Sequence, residues 1–339
     1  MSVSLAKTAE DVSQIAFGFM ASKSLFAGLH IDVFTRLSEK PKTAAQLAAE
    51  TAVPANRITT LLTALTSIGL VERKDTVYSN APAADMFLSR DSKYEFGDYL
   101  RYQIDRQMYP FLSQLNEVIE GSLDPDAVDS YQHWMSDPKQ ASIYSEAQHS
   151  GSLGPGKTLA RLVDLSGAHN LLDVGGGTGA MSIRLLEAYP DLISTIIDFP
   201  NVAEIGWRFV SDAGMVDRIR FIPGDALEAA WPTGQDVILM SYLFSGIPGG
   251  EVPRLIDYAF ECLSVGGHIL VHDFMVEDDR TGPPLAALWQ LQHMAFTPEA
   301  RSVTPGWLKE RMENAGFREI REEEMVPGMT RLVHARKPG

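Results

Sequence analysis

The run LLDVGGGTGAMSIRLLEAYP, residues 171–190, narrows what this chain can fold into more than any other stretch. A short apolar run ends at Asp173. Then Gly175, Gly176, Gly177 and Gly179 crowd into five residues before apolar side chains recur at helical spacing. Glycine alone enters so tight a turn without a steric cost, and it leaves room for a ligand against the main chain. Strand, glycine turn and helix in that order open a βαβ unit of the kind that cradles a nucleotide-like cofactor. About twenty residues beyond the glycines a second apolar run, STIIDF, ends at Asp198, a carboxylate placed to accept both hydroxyls of a ribose. A third, RIRFIPGD, ends at Asp225. Gly175-x-Gly177-x-x-Ala180 also satisfies a loose dinucleotide fingerprint, so the glycines alone do not identify the cofactor.

The surroundings of this unit repeat its grammar. LLDVGG, STIIDF, RIRFIPGD, DVILMSYLF and HILVHDFM are short apolar runs separated by helical patterns. Strands that read as continuous apolar runs are buried on both faces, which predicts a parallel α/β sheet. Near the end, REIREEEMVPGMTRLVHARK predicts two further strands that close the sheet as a hairpin. Cys262, the single cysteine, excludes an intrachain disulfide and falls in the helical stretch LIDYAFECLS, where a core position is expected.

The first third is written differently. AFGFMASKSLFAGLHIDVFTRL, TAAQLAAET and ANRITTLLTALTSIGL carry apolar residues three and four apart, and VERKDTVYSNAP pairs two β-prone runs about Lys74 and Asp75. Helix, helix and hairpin read as a winged helix-turn-helix, whose common use is DNA binding. Charge argues against that use. The chain carries a net charge of -15, and the recognition helix offers Arg57 as its only cation, so nucleic acid and anionic lipid are both repelled. A dimerisation and substrate-lid role is expected instead, with a small-molecule substrate, a homodimer, and neither nucleic-acid nor membrane partners. No run approaches the roughly 18 apolar residues of a membrane helix, and MSVSLAKTAEDVSQ lacks the layout of a secretory signal, so a cytoplasmic protein is expected. Residues 94–122 and 136–165 read as further helices. The expected division is a winged-helix-like dimerisation domain over 1–110, a helical linker and lid segment over 111–155, and a cofactor-binding domain over 156–339.

A glycine turn in the second half of the chain, behind a winged-helix domain and followed by acids after the second and third strands, resembles the class I S-adenosylmethionine-dependent methyltransferases. IIDFPNVAE, GDALEAAWP, LSVGGHILVHDF and TPGWLKERMENAGFREI are similar to the two-domain small-molecule O-methyltransferases, a group that includes plant caffeate and bacterial antibiotic enzymes, over nearly the whole chain. The resemblance implies a Rossmann-like class I methyltransferase sheet with an N-terminal helical winged-helix dimerisation domain, S-adenosylmethionine as cofactor, S-adenosylhomocysteine as product, and no metal. Carried over residue by residue, it places Asp173, Gly175 and Gly177 along the amino-acid part of the cofactor and Asp198 on the ribose. Asp225, with Ala226 or Leu227, flanks the adenine. Phe199, Gly224 and Ser241 complete the implied cofactor site.

One departure stands out. In that family the strand after the adenine segment runs into a histidine, then an acid or asparagine, then a tryptophan, and the histidine takes the proton of a phenol. Aligning SYLFSGIPGGE puts Ser245, Gly246 and Ile247 at those three positions. Serine cannot take over the proton. Either a base comes from elsewhere, with His272, His293 and His149 as candidates for O- or C-methylation of a small aromatic or keto acid; or the fold is repurposed to keep the cofactor and perform other chemistry; or the acceptor has no proton to lose. A thioether sulfur meets the last condition, since alignment and exclusion of water suffice for it. A winged-helix regulator that senses the cofactor is a separate alternative, against which the acidic balance argues. The whole-chain pattern and the Ser245-Gly246 departure resemble the bacterial S-methyltransferases that act on methylthiohydroxybutyrate in dimethylsulfoniopropionate synthesis. Expected substrate contacts are Tyr144 and Gln148, one helical turn apart, with His149 beside them. Tyr102, Gln103, Arg106 and Gln107 are expected to form a polar patch, with Arg106 or Arg101 as the planar fork for a carboxylate. Trp289, Gln290 and His293 are expected to form an opposite wall.

Overall fold

The computed structural model describes residues 5–122 and 131–339. The chain divides between Tyr109 and Pro110 into two compact units. Residue 155, the expected end of the linker segment, lies inside a single helix, Pro138–Leu162.

In the N-terminal unit, helices Ala44–Thr51 and Ala55–Ser67 are followed by the wing strands Val71–Lys74 and Val77–Asn80, as the spacing of apolar residues predicts. Thr43 and Gln46 close a reciprocal capping box that starts the first of these helices. Asp75 takes a φ of 55° in the wing turn. With Lys42–Thr43 as β1, the wing strands are β2 and β3, and the order in this antiparallel sheet is β1-β3-β2. Phe26, Leu29, Phe34, Leu47, Ile58 and Leu62 are buried together beneath it. On helix Ala9–His30, Val12, Ile15, Phe17, Phe19 and Met20 remain exposed. The unit ends in a π-helix, Tyr99–Met108, where an ordinary helix is expected.

The C-terminal unit is built on seven strands: β4 (Asn170–Val174), β5 (Ile193–Asp198), β6 (Ile219–Pro223), β7 (Gln235–Ser241), β8 (Leu263–Asp273), β9 (Arg318–Val326) and β10 (Thr330–Arg336). Their order is β6-β5-β4-β7-β8-β10-β9. β6, β5, β4, β7 and β8 are parallel, and β10 and β9 close the edge as the expected antiparallel hairpin. The apolar runs of β4, β7 and β8 divide their side chains between two cores. One centres on Leu172, Val174, Ile238, Met240, Ile269 and Val271, and the other on Leu171, Leu239 and Leu270. Cys262 is buried in the first. Chain order reverses at β4, between β5 and β7, and the carboxyl ends of strands at such a switch point form the natural crevice for a ligand.

Candidate active site

The crevice is a cavity of about 540 Å³, within the range of small-molecule sites. Its floor is the glycine turn after β4. Gly175 and Gly177 have φ of 66° and 59°, the left-handed region that penalises a side chain. At Gly176 the requirement is steric, because a Cβ would sit 2.5 Å from the Asp173 carboxyl carbon. Nothing lies within 4 Å of the Cβ position of Gly177, so the loop leaves open space along its backbone.

Three carboxylates stand at the ends of three adjacent strands. Ser182 Oγ donates to Asp173 Oδ2 (2.6 Å), whereas Oδ1 is buried and has no hydrogen-bond partner. Burial, reinforced by the charge of Asp198, pushes Asp173 up to about 7. The Gly177 N–H donates to Asp198 Oδ2 (2.7 Å) and the Phe199 N–H to Oδ1 (2.8 Å), so Asp198 also holds the glycine loop in place. Burial pushes Asp198 up to about 6. Asp225, two residues beyond the end of β6, accepts the Leu227 N–H (2.8 Å). Phe199, Gly224, Ala226, Leu227 and Ser241 also line the cavity. All the residues that the resemblance assigns to the cofactor therefore meet in one place.

The other end of the cavity is aromatic. Tyr131, Tyr144 and Phe296 line it with Gln148 and His293. The Tyr131 and Phe296 rings lie 4.9 Å apart, and Tyr131 meets Tyr144 edge-on at 6.2 Å. Trp134 packs behind them, 5.1 Å from Tyr144 and 4.9 Å from Phe296. Tyr144 bonds to Gln148, and burial, with the nearby Asp198 charge, pushes its phenol up to about 12. The cavity lining contains Asp173, Asp198, Asp225 and Glu299 and, among the described residues, neither lysine nor arginine.

Ser245 is fully buried beside this wall. Its Oγ donates to Asp273 Oδ1 (2.6 Å) and its backbone N–H to Oδ2 (3.0 Å). Its proton is thus committed, and Oγ accepts from His293 Nε2 at 3.3 Å. His293 Nδ1 then accepts the Tyr131 hydroxyl at 3.2 Å. A chain of hydrogen bonds, Asp273–Ser245–His293–Tyr131, runs through Ser245, the position at which the resemblance expects a histidine. Gly246 adjoins the same chain: a Cβ there would make ordinary contact, at 3.5 Å, with His293 Nδ1 and Tyr131 Cε2. The imidazole is delivered from helix Pro284–Phe296. Burial pushes Asp273 up to about 6 and His293 down to about 3.

Other expected contacts have other partners. His272 bonds Ser241 Oγ (2.8 Å) and Thr330 Oγ1 (2.9 Å), is fully buried, and is pushed down to about 3; both ring nitrogens are occupied by protein. His149 Nδ1 bonds Thr178 Oγ1 at 2.8 Å and its ring stacks on Phe209 at 3.8 Å, which ties helix Pro138–Leu162 to the glycine loop. Trp289 stacks on Phe274 at 4.6 Å and is not among the lining residues. Arg101 is buried in the N-terminal unit, donating Nε to the Leu29 carbonyl (3.0 Å) and pairing with Asp32 and Asp98. Gln103 is buried there too, while Arg106 lies 5.3 Å from the centre of the Tyr102 ring. Tyr131, Phe296 and Asp273 are additions that sequence reasoning missed. Among the described residues no group of three or more His, Cys, Asp or Glu could hold a metal ion, and no helix is long and apolar enough to cross a membrane.

The hydrogen-bond chain gives Ser245→Ala a defined outcome. The variant should be less stable by roughly 1–3 kcal/mol, because Asp273 and His293 each lose a buried partner, yet should keep methyl transfer within about tenfold of the parent. A loss of several orders of magnitude in turnover at full folding would make the hydroxyl itself essential.

Comparison with known proteins bears on the fold and the family. A family model described as an O-methyltransferase domain matches residues 126–318, and one described as an O-methyltransferase dimerisation domain matches residues 13–90. The chain is 28% identical over 330 residues to a tetracenomycin polyketide synthesis 8-O-methyl transferase of Streptomyces glaucescens, covering 97% of this chain and 96% of that one. It is 27% identical to an L-tyrosine C(3)-methyltransferase of Streptomyces lavendulae, covering 91% and 86%. The crystal structure of human N-acetylserotonin methyltransferase in complex with S-adenosylmethionine superposes with a TM-score of 0.86 at 23% identity, covering all of both chains.

Proposed function

The chain belongs to the O-methyltransferase family, and from that premise we propose that it methylates the sulfur of a small thioether, giving a sulfonium, with S-adenosylmethionine as donor. Methylthiohydroxybutyrate is the acceptor this reading names. The residues fit the donor. Asp173 Oδ1 is a buried acceptor with no protein partner, the glycine loop is open beside it, and Asp198 retains lone pairs for ribose hydroxyls. When bound, the cofactor supplies an electrophilic methyl group on a sulfonium.

The observation that carries the acceptor assignment is the state of the histidines. Both nitrogens of His272 are bonded within the protein, and His293 is pushed down to about 3. Burial thus disfavours the protonated imidazole that a general base must become, which counts against His293 in that role. A thioether needs no base. Tyr131, Tyr144 and Phe296 exclude water and hold the sulfur by contact, and a lining with carboxylates but no basic side chain favours a sulfonium centre over a phenolate, while leaving the carboxylate of a hydroxy-acid acceptor without a cationic partner among the described lining residues.

A second reading, O-methylation, has its own observation. The Asp273–Ser245–His293–Tyr131 chain points a histidine lone pair at a cavity tyrosine, and an acceptor hydroxyl displacing that tyrosine would meet it. The two readings separate on His293→Asn, assayed as kcat/KM for the acceptor at saturating cofactor; an imidazole held at about 3 stays neutral from pH 6 to 9, so the variant and not the pH profile discriminates. Base-free transfer predicts a loss of less than about tenfold in the variant. A loss of about 100-fold or more in the folded variant would reject it.

Cofactor binding should itself respond to pH. A ligand ammonium paired with Asp173 needs the ionised carboxylate, and burial holds that group up at about 7. Affinity should therefore rise as pH climbs through about 7, with release of a proton. Titration calorimetry in two buffers of different ionisation enthalpy measures this directly; equal heats and a constant Kd from pH 6 to 8 would count against the pairing. The exposed apolar residues of helix Ala9–His30 and the dimerisation-domain match support a homodimer.

A further inference from the structure

We propose that the aromatic end of the cavity is an onium-binding site, selective for small sulfonium or quaternary ammonium compounds over their uncharged isosteres. This rests on the sulfonium-forming reading and extends it to ligands that the enzyme does not methylate. Tyr131, Tyr144 and Phe296 approach one another at ring separations of 4.9 and 6.2 Å, and all three line the cavity. Trp134, buried behind them, stacks on Phe296 at an interplanar angle of 24° and meets Tyr144 edge-on. The wall is therefore braced into shape before any ligand arrives. An aromatic face attracts a cation through its quadrupole and offers it no competing nucleophile. Charge points the same way. Glu299 and Asp225 share the lining, and among the described lining residues no lysine or arginine opposes a positive ligand. Gln148 and Tyr144 add polar groups for a hydroxyl on the same ligand.

A consequence is retention of product. A methylated sulfonium fits the wall better than the neutral thioether it came from, so product and its trimethylammonium counterparts should compete with the acceptor.

The experiment uses the full chain saturated with S-adenosylhomocysteine and measures, by calorimetry, the affinity of choline and of the alcohol in which a tert-butyl group replaces its trimethylammonium. The two probes have nearly the same shape, so their ratio isolates the charge. Choline should bind about 3- to 30-fold more tightly, and Tyr144→Leu and Phe296→Leu should each bring the ratio towards unity while still binding S-adenosylhomocysteine. If one variant fails to fold, the other carries the comparison. A ratio near unity in the parent, or an undiminished ratio in the folded variants, would overturn the site. The thioether reading fails separately: a protein that discriminates the isosteres but forms no sulfonium from any thioether keeps the onium site and loses the proposed reaction.

Discussion

Asp198→Ala should weaken S-adenosylhomocysteine binding by at least about 100-fold. The expectation follows from two roles held by one carboxylate. Its Oδ2 accepts the Gly177 N–H and its Oδ1 the Phe199 N–H, so removing it frees the glycine loop and leaves two donors without partners. Each oxygen also retains a lone pair for a ribose hydroxyl, and a hydrogen bond to a charged group contributes about 1.5–3 kcal/mol. Two of them lost correspond to roughly 100-fold or more. Asp198→Asn keeps the shape and one acceptor oxygen, and should fall between the parent and the alanine variant. Calorimetry with S-adenosylhomocysteine reads this without an acceptor. A Kd within about threefold of the parent would remove Asp198 from the cofactor site.

The second large effect is on stability. Asp273→Ala removes the acceptor of the Ser245 hydroxyl, the Ser245 N–H and the Phe274 N–H, all buried. Orphaned donors cost about 1–3 kcal/mol each, so the loss should be roughly 3 kcal/mol or more, which lowers Tm by about 6 to 12 °C for a domain of this size. The pH dependence has a definite sign. Asp273 is raised from 3.8 to about 6 in the folded protein, so its contribution is fully present below about 4 and declines as pH rises through about 6. The penalty of the substitution should therefore be largest in acid and shrink towards neutrality. A thermal series from pH 4 to 8 on parent and variant tests both statements. A Tm change below about 2 °C at pH 5, or a penalty that grows with pH, would refute them.

What could be read in advance was local. Strand, glycine turn and helix at 171–190 lie within a few residues of one another, and the acids at 198 and 225 are spaced by the same βαβ grammar. The wing about Asp75 and the closing hairpin were legible for the same reason. The departure at Ser245-Gly246 was visible too, because it is a local mismatch with a family pattern. What fills the gap was legible only as one of three candidate histidines. His293 reaches Ser245 across 48 positions, from a helix whose apolar pattern makes a histidine look equally like a core residue, so the sequence offered nothing to choose it over His272 or His149. Tyr131 and Phe296 carry no local signal, since an aromatic residue on a cavity wall is spelled like one in a core. Arg101 shows the converse. It reads as an available cation, and only the fold reveals that Leu29, Asp32 and Asp98 engage its guanidinium.

The sulfonium-forming account is tested most directly by identifying the product. The purified full chain would be given S-adenosylmethionine and, in separate reactions, methylthiohydroxybutyrate and a panel of catechols, phenols and keto acids, with release of S-adenosylhomocysteine and product mass both followed. The account expects turnover with the thioether and a product heavier by one methyl group and carrying a fixed positive charge. Turnover confined to oxygen or carbon acceptors would contradict it and would make His293, backed by Ser245 and Asp273, the base.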